Sequence, residues 1–134
     1  MPHRELYQRD ERWELASRAA QEGIWDWNLT DNKVYRSDYW FEMFGYEPGE
    51  LADNPWVWEN MIHPEDAAIV LEARRKHIEG LSDRYYVEHR VLCKDGQYRW
   101  FLSRGQVIRD EQGNPVRMIG FILISKHGLP RESN

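Results

Sequence analysis

Residues 86–124, YVEHRVLCKDGQYRWFLSRGQVIRDEQGNPVRMIGFILI, decide the fold of this chain. Alternating residues run to Lys94, and Asp95 and Gly96 then form the dipeptide that most readily enters a tight hairpin turn. A second run covers residues 97–109, and the turn-forming residues 110–115 separate it from a third run over 116–124. The sequence therefore predicts three consecutive antiparallel strands.

The third run is apolar on both of its alternations. One alternation contains Val116, Met118, Ile122 and Ile124, and the other contains Ile119, Phe121 and Leu123. A strand that is apolar on both sides is typical of the middle of a sheet covered on both faces. We therefore expect a central strand with both faces buried.

Two further strands and four helices are predicted upstream. The strands are expected at residues 24–29 and 33–36. A short helix capped by Ser37 and Asp38 should end at Gly45, and a long helix should begin at Pro64 and end at Gly80. The two remaining helices are expected at residues 5–22 and 55–61.

Five motifs occur in one order: GIWDWNL, SDYWFEMFGYEPGEL, WENMIHPED, EHRVLCKDGQYRWF and DEQGNPVRMIG. Over residues 22–123 this series resembles the PAS sensor family with its PAC motif. The resemblance implies an α/β (α+β) fold, with a five-stranded antiparallel sheet of order 2-1-5-4-3 around a small helical layer. It also implies a sensory or regulatory module of a bacterial-type signal-transduction protein, not an enzyme.

Composition limits the function further. The 134 residues are enough for one core, the net charge of −5 argues against a nucleic-acid surface, and no apolar stretch approaches membrane-spanning length. We expect a cytoplasmic chain with a cap helix at 1–21, the PAS/PAC domain at 22–125 and a flexible tail at 126–134. The basic run 74–76 is interpreted as a solvated helix surface.

The first helix has apolar or small residues at heptad-like spacing, Leu6, Trp13, Ala16 and Ala20, and Gly23 should end it. Two heptads are too few for a long coiled coil. We expect a cap that covers the outer face of the sheet or pairs with a second copy, and hence a homodimer.

The resemblance implies an effector such as a histidine kinase or a diguanylate cyclase, in the same or a partner chain. The family usually continues its last strand with Asp-Ile-Thr, whereas this chain has Ile124, Ser125 and Lys126. Output through the carboxyl end is therefore in doubt.

In the family the concave face of the sheet lines a cavity. The pocket candidates are Trp27, Tyr39, Trp40, Phe44, Leu71, Glu88 and Arg90. Glu88 and Arg90 alternate on one strand, so they face the same way and could contact a ligand or pair with the helical layer. Because six tryptophans, at 25, 27, 40, 56, 58 and 100, could instead fill the cavity, a constitutive interaction and dimerisation module is the alternative.

No resident cofactor is expected, although haem and flavin stay as alternatives. His77 lies on the long helix where haem-binding relatives place their axial ligand, but near its end and beside Lys76 and Glu79. Cys93 ends a strand, unlike the adduct-forming cysteine of the flavin-binding relatives, which lies on a helix. We interpret it as a small residue at a hairpin, whose thiol the neighbouring Lys94 could make redox-exposed.

A small-molecule enzyme on this cupped sheet is a rival class, for which His63 and Glu88 are the only visible acid–base set. The segment from His63 to Asp66 also has the residue types that begin a helix, since Pro64 suits the first position and carboxylates stabilise the positive helix end. The structural interpretation of this segment is the one we favour.

Overall fold

The computed structural model describes the backbone of residues 2–126 and the side chains of residues 11–126. The expected tail beyond Lys126 and the side chain of Leu6 lie outside these residues. The helices are α1 (Pro2–Ala20), α2 (Asp38–Met43), α3 (Pro55–Met61) and α4 (Pro64–Ile78). The strands are β1 (Gly23–Asn28), β2 (Lys33–Arg36), β3 (Tyr85–Leu92), β4 (Tyr98–Arg109) and β5 (Pro115–Ile124).

The five strands form one antiparallel sheet of order β2-β1-β5-β4-β3, which confirms the expected topology. The two hairpins that connect β3, β4 and β5 turn at Gly96 and Gly113, both with a φ of +87°. This left-handed conformation strains other residues, so the turn chemistry explains why the chain reverses at these points.

Each short helix begins with a side chain that accepts a hydrogen bond from its first turn. The side chain of Ser37 accepts from the Trp40 amide, and that of Asn54 accepts from the Val57 amide. At the start of α4, Nδ1 of His63 accepts from the amide of Glu65 at 3.0 Å. These bonds satisfy amides that have no partner inside a helix.

The core lies between the concave face of the sheet and helices α2, α3 and α4. One cluster is centred on α2, the end of β3 and the start of β4. Its buried residues are Trp40, Phe41, Phe44, Met61, Val91, Cys93, Phe101 and Ile122. A second cluster joins α4 to the sheet through Ile62, Val70, Tyr85, Val87 and Met118.

The expectation that β5 is covered on both faces is wrong for its outer face. Met118 and Ile122 are fully buried on the concave side, but Phe121 on the other side is 40% exposed. Its ring lies under the guanidinium of Arg104, 5.8 Å from the ring centre. Within the described residues, α1 contacts α2, β1 and Tyr35 of β2, and Phe121 stays open to solvent.

Helix α1 is attached through polar contacts at β2 and α2. Glu14 accepts hydrogen bonds from the Tyr35 hydroxyl at 2.6 Å and from the Asp38 amide at 2.7 Å. The Trp13 ring meets Tyr35 edge to face at 6.1 Å, and the hydroxyl of buried Ser17 lies 2.9 Å from that of Ser37. The helix therefore docks on the exposed side of β2.

Two expectations for α1 are corrected. Ala16 and Ala20 face solvent, because the helix docks through Trp13, Glu14 and Ser17, of which only Trp13 belongs to the heptad-like stripe. The helix ends before Gln21, which has a φ of 57°, whereas Gly23 is the first residue of β1. A Cβ on Gly23 would lie 2.9 Å from the Trp40 Cα, so this glycine permits a close approach of two backbones.

Candidate functional site

A row of five residues crosses the concave face of the sheet, one from each strand. In register order they are Arg36, Trp25, Gly120, Gly105 and Tyr85. The two neighbouring glycines leave a slot in the sheet surface, and the indole of Trp25 lies in it. A Cβ on Gly105 would stand 2.6 Å from Cη2 of this indole, and a Cβ on Gly120 would overlap the same ring.

The Trp25 indole reaches across the slot to Tyr85, whose ring it meets edge to face at 6.1 Å and 87°. Edge-to-face contacts of this kind stabilise aromatic pairs beyond the area that they bury. The side chain of Trp25 is therefore held at both ends, by the slot and by Tyr85.

Between this row and the helical layer lies a cavity of about 40 Å³. Its lining combines aromatic rings with a few polar groups: Trp25, Trp27, Val34, Arg36, Trp40, Pro55, Trp58, Arg74, Tyr85 and Ser103. Sites for drug-sized ligands measure roughly 300–1,000 Å³. In this conformation the cavity holds only a small molecule, because the Trp25 indole fills the slot that would enlarge it.

Arg36 is the buried charge of the cavity, with 7% of the residue exposed. Its guanidinium donates to the backbone carbonyls of Ala52 and Asn54, each at 3.0 Å, and lies 4.8 Å from the ring centre of Trp40. Burial lowers the pKa of Arg36 to about 10, and the nearby charge of Asp53 opposes this shift.

Arg74 brings a second guanidinium to the cavity wall from α4. It forms an ion pair of 2.7 Å with Glu59 and lies 4.7 Å from the ring centre of Trp27. The interpretation of residues 74–76 as a solvated surface therefore holds for Arg75 and Lys76, which are exposed, and fails for Arg74. Contact with the flat Trp27 ring explains why this cation turns inward.

Ser103 and His89 form a buried polar pair beside the cavity that sequence reasoning missed. Nε2 of His89 lies 2.8 Å from the Ser103 hydroxyl, while Nδ1 is buried without a hydrogen-bond partner among the described residues. Burial lowers the pKa of His89 to about 4, so its imidazole is neutral at physiological pH. The Trp58 ring covers it at 5.4 Å.

The side of β3 that faces the cavity could have been read from the sequence. Val87 and Val91 are apolar and share the alternation of His89, so residues 88 and 90 must point the other way. Glu88 is indeed exposed on the outer face, where its carboxylate accepts a hydrogen bond from the Ser125 hydroxyl. The expectation that the Glu88 and Arg90 face lines the cavity is corrected accordingly.

Arg90 pairs with the helical layer, which is one of the two alternatives expected from the sequence. Asp66 on α4 accepts bonds from the Arg90 backbone amide at 2.8 Å, from Nε at 2.9 Å and from Nη2 at 2.8 Å. The hydrogen bonds from the Arg90 side chain lower the pKa of Asp66 to about 2. This ion pair ties the start of α4 to the edge strand β3.

Of the other pocket candidates, Trp27 and Trp40 line the cavity and three do not. Tyr39 faces α1, where the Arg18 guanidinium stands 6.0 Å from its ring centre. Phe44 is buried in the first core cluster, and Leu71 is a half-buried residue of α4. A role for any candidate in ligand binding stays a prediction.

His77 has a structural role in place of the haem ligation considered from the sequence. Its Nε2 accepts from the Val107 amide at 3.0 Å, and its Nδ1 lies 3.0 Å from the Ser82 carbonyl. Both ring nitrogens are thus bonded to backbone groups, and an iron atom would have to displace one of them. The buried ring joins the end of α4 to β4.

The cavity does not fit a flavin in this conformation, because an isoalloxazine far exceeds 40 Å³. Cys93 is buried in the first core cluster, so the interpretation of a redox-exposed thiol beside Lys94 is wrong. Packing of the strand end against α2 explains its burial. Among the residues that the structure describes, no group of three or more histidine, cysteine or acidic side chains could hold a metal ion.

The two residues considered as an acid–base pair have separate structural contacts. The His63 ring caps α4 and packs on Tyr98 with ring centres 4.5 Å apart, whereas Glu88 binds Ser125 on the outer face of the sheet. These contacts favour the structural interpretation of the segment from His63 to Asp66.

Comparison with protein families and curated proteins gives consistent matches. A family profile described as the PAS fold matches residues 33–122. The non-motile and phage-resistance protein of Caulobacter vibrioides is 45% identical over 106 residues, which are 78% of this chain and 12% of that protein. The probable diguanylate cyclase DgcE of Escherichia coli is 28% identical over 110 residues, 82% of this chain and 10% of that protein. The chain spans about a tenth of the length of these relatives.

Solved structures agree with these matches. A sensory box histidine kinase/response regulator from Burkholderia thailandensis is 40% identical, with a TM-score of 0.71, and the match covers 84% of this chain and 83% of that one. A light-oxygen-voltage domain studied with a flavin analogue has a TM-score of 0.67 at 23% identity and 84% and 83% coverage, a likeness of fold alone. No helix in the described part of the chain is long and apolar enough to cross a membrane.

Proposed function

The chain belongs to the PAS family of signal-transduction sensor domains, and on this premise we propose that its cavity binds a small ligand whose presence is relayed through α1. The module has no catalytic activity of its own in this proposal. It acts in the cytoplasm as a homodimer and controls a histidine kinase or a diguanylate cyclase, in its own chain or in a partner. The names of the relatives support these two effector classes.

One observation carries the proposal, namely that β2 contacts the cavity and α1 with successive residues. Val34 and Arg36 point inward and line the cavity, whereas Tyr35 points outward and is held by Glu14 and Trp13 of α1. Because successive side chains of a strand face opposite ways, a shift of β2 moves both sets of contacts together. A ligand that contacts Arg36 therefore alters the docking of α1, which is the differential contact that a population shift requires.

The experiment is a thermal-shift screen of the chain against a panel of small metabolites, followed by hydrogen–deuterium exchange with each ligand that binds. We expect at least one ligand that changes exchange in α1 and in the segment 48–54. Ligands that bind without any change in α1 would reject the relay. A second set of exchange data on the Tyr35→Phe variant, which lacks the bond to Glu14, should show a weaker response of α1 to the same ligand.

The small volume of the cavity favours a second candidate, a constitutive interaction module. The Trp25 indole occupies the glycine slot, and only about 40 Å³ stays open. A filled core needs no ligand, and the domain would then act by dimerisation alone. A panel with no ligand, together with a dimer whose stability does not depend on added metabolites, would favour this candidate over the first.

A further inference from the structure

The chemistry of the cavity wall indicates what kind of molecule it takes. We propose that the cavity binds a short-chain monocarboxylate of about two to four carbons, with its carboxylate on Arg36 and its hydrocarbon chain among the indole rings. This inference rests on the proposed function, because it names the ligand class of the same site.

The first argument is the uncompensated charge of Arg36. A guanidinium has five N–H donors, and this one donates to two neutral carbonyls. No carboxylate forms an ion pair with it among the described residues, since Asp53 acts only at a distance. A buried charge without a partner of opposite sign is costly, and a carboxylate matches the fork of N–H groups that arginine presents.

Arg74, the other cation of the wall, does not compete for this role. Its guanidinium already pairs with Glu59 at 2.7 Å and stacks over Trp27. The charge that an anion can neutralise is therefore at the β2 end of the cavity, on Arg36. A single buried charge of this kind favours a monoanion.

The Ser103 hydroxyl supplies a second polar group on the cavity wall. It is buried, lines the cavity and bonds to the neutral imidazole of His89 at 2.8 Å. A hydroxyl can donate one hydrogen bond and accept two. This group gives a carboxylate an additional partner when the hydroxyl turns toward the cavity.

The size and the aromatic walls limit the rest of the ligand. A volume of about 40 Å³ corresponds to roughly three water-sized spheres, which is close to the size of acetate. Three or four carbons fit once the segment 48–54, which Arg36 holds over the cavity, loosens, and longer or branched chains are excluded while Trp25 stays in its slot. Trp25, Trp27 and Trp58 offer apolar surface to a few methylene groups. A short hydrocarbon chain fits these walls better than a sugar or an amino acid, whose extra polar groups would lack partners.

A groove on the surface borders the cavity at the same arginine. Val34 and Arg36 also line a surface groove that runs between β2 and residues 48–53. The bonds from Arg36 to Ala52 and Asn54, and from the Val34 amide to the Asp53 carbonyl at 2.6 Å, hold this segment over the cavity. An incoming carboxylate would compete with these carbonyls for the guanidinium and would loosen the segment.

The test is a titration of the purified chain with acetate, propionate and butyrate, each against the neutral amide of the same length. Chemical shifts of the Gly105 and Gly120 amides and of the indole N–H groups report on the cavity. We expect saturable binding of propionate at least about tenfold tighter than that of propionamide, because charge-assisted hydrogen bonds are worth more than neutral ones. Equal affinity for acid and amide, or shifts confined to surface arginines, would overturn the proposal.

Variants test whether Arg36 is the residue that binds the carboxylate. Arg36→Met should lose at least about tenfold in propionate affinity, and Arg75→Met, on the exposed side of α4, should bind like the original chain. Because Arg36 also holds the segment over the cavity, its variant could fail to fold. Ser103→Ala should weaken the binding of propionate a few-fold. This variant and the acid–amide comparison in the unaltered chain test the proposal even if Arg36→Met does not fold.

The outcome also separates this inference from the function on which it rests. A neutral or cationic metabolite that binds at the cavity and alters α1, while the carboxylates fail to bind, rejects the ligand class and leaves the sensory function standing. Propionate bound at Arg36 without any change in α1 supports the ligand class and rejects the relay.

Discussion

Trp25, Gly105 and Gly120 decide how much space the cavity contains. The two glycines accept the indole because they have no Cβ, and each lies beside the other in the sheet register. The sequence shows a tryptophan and two glycines on three different strands, and nothing in their spacing reveals that they meet. Their meeting depends on the register of β1, β5 and β4, which the hydrophobic alternation restricts only to one face.

The slot predicts a specific pattern of coupling. Gly105→Ala should lower the free energy of unfolding by about 2 kcal/mol, because its Cβ would overlap the Trp25 indole. In a Trp25→Ala background this cost should fall by more than half. Gly120→Ala is the matched control. Its Cβ would also overlap the Arg104 carbonyl, so this substitution should lower the free energy of unfolding in both backgrounds. Urea unfolding of the three single and two double variants gives the coupling, and equal costs of Gly105→Ala in both backgrounds would contradict the slot.

The bond between His77 and the Val107 amide should contribute to the stability of the fold. His77→Leu should lower the free energy of unfolding by about 2 kcal/mol, because the buried Val107 amide loses its acceptor. Lys76→Leu, a neighbouring exposed position, should change it by less than about 0.5 kcal/mol. A structural role also requires that added haemin give the same absorption spectrum with the original chain and with His77→Leu. A Soret band present only in the original chain would restore the ligand hypothesis.

Among the elements, the strands and the bounds of α3 were the most predictable part of the fold. The observed bounds of α3 and β2 are those expected, because Asn54 and Pro55 mark the start of α3, and Asn32 and Ser37 flank β2. The inward face of β3 was assigned wrongly, although the alternation of Val87 and Val91 contained the answer. The contacts of α1 were missed because they are polar: Glu14 and Ser17 dock the helix, and a search for apolar periodicity passes over them.

The link between α4 and β3 predicts a dependence of stability on pH. Asp66 has a pKa of about 2 in the folded chain against an ordinary value of 3.8, and its side chain is 13% exposed. A depressed carboxyl pKa stabilises the folded state above the unfolded value, and this contribution is lost as the pH falls through the folded one. Asp66→Asn should therefore cost about 2 kcal/mol at pH 7.

The difference between Asp66→Asn and the original chain should narrow between about pH 4 and pH 2, as measured by urea unfolding across that range. Asp95→Asn is the matched control. Asp95 has a similarly low pKa beside Arg99, but it is exposed on the β3–β4 hairpin, so solvent weakens its contribution. A difference for Asp66→Asn that stays constant down to pH 2 would show that the ion pair does not cause it.

The whole molecule combines a small cavity with a helix attached to the strand that lines it. Much of this arrangement followed from the sequence, because five motifs in order indicated the fold and the strand order. The cavity lining did not follow, since it is assembled from four strands and three helices whose register and rotamers decide its volume. The buried arginine and the inward turn of Arg74 belong to this level and have no local sequence signal.

The oligomeric state of the molecule should depend on α1. Sedimentation should show a dimer for residues 1–134 and a monomer after deletion of residues 1–21, because α1 is the helix that the sequence predicts to pair with a second copy. Leu15→Glu should weaken the dimer without deletion, as Leu15 is an exposed apolar residue of α1. Ile69→Glu, similarly exposed on α4, is the control that should leave it intact. Retention of the dimer without residues 1–21 would reject the role of α1.

The central claim, that β2 relays the state of the cavity to α1, is tested most directly by hydrogen–deuterium exchange at saturating ligand, with propionate or the tightest member of the metabolite panel. We predict changed exchange in residues 11–20 and 48–54 and unchanged exchange at residues 77–80, where His77 fixes the end of α4. Unchanged exchange in α1 with the cavity demonstrably occupied, or the absence of any ligand across the panel, would contradict the account.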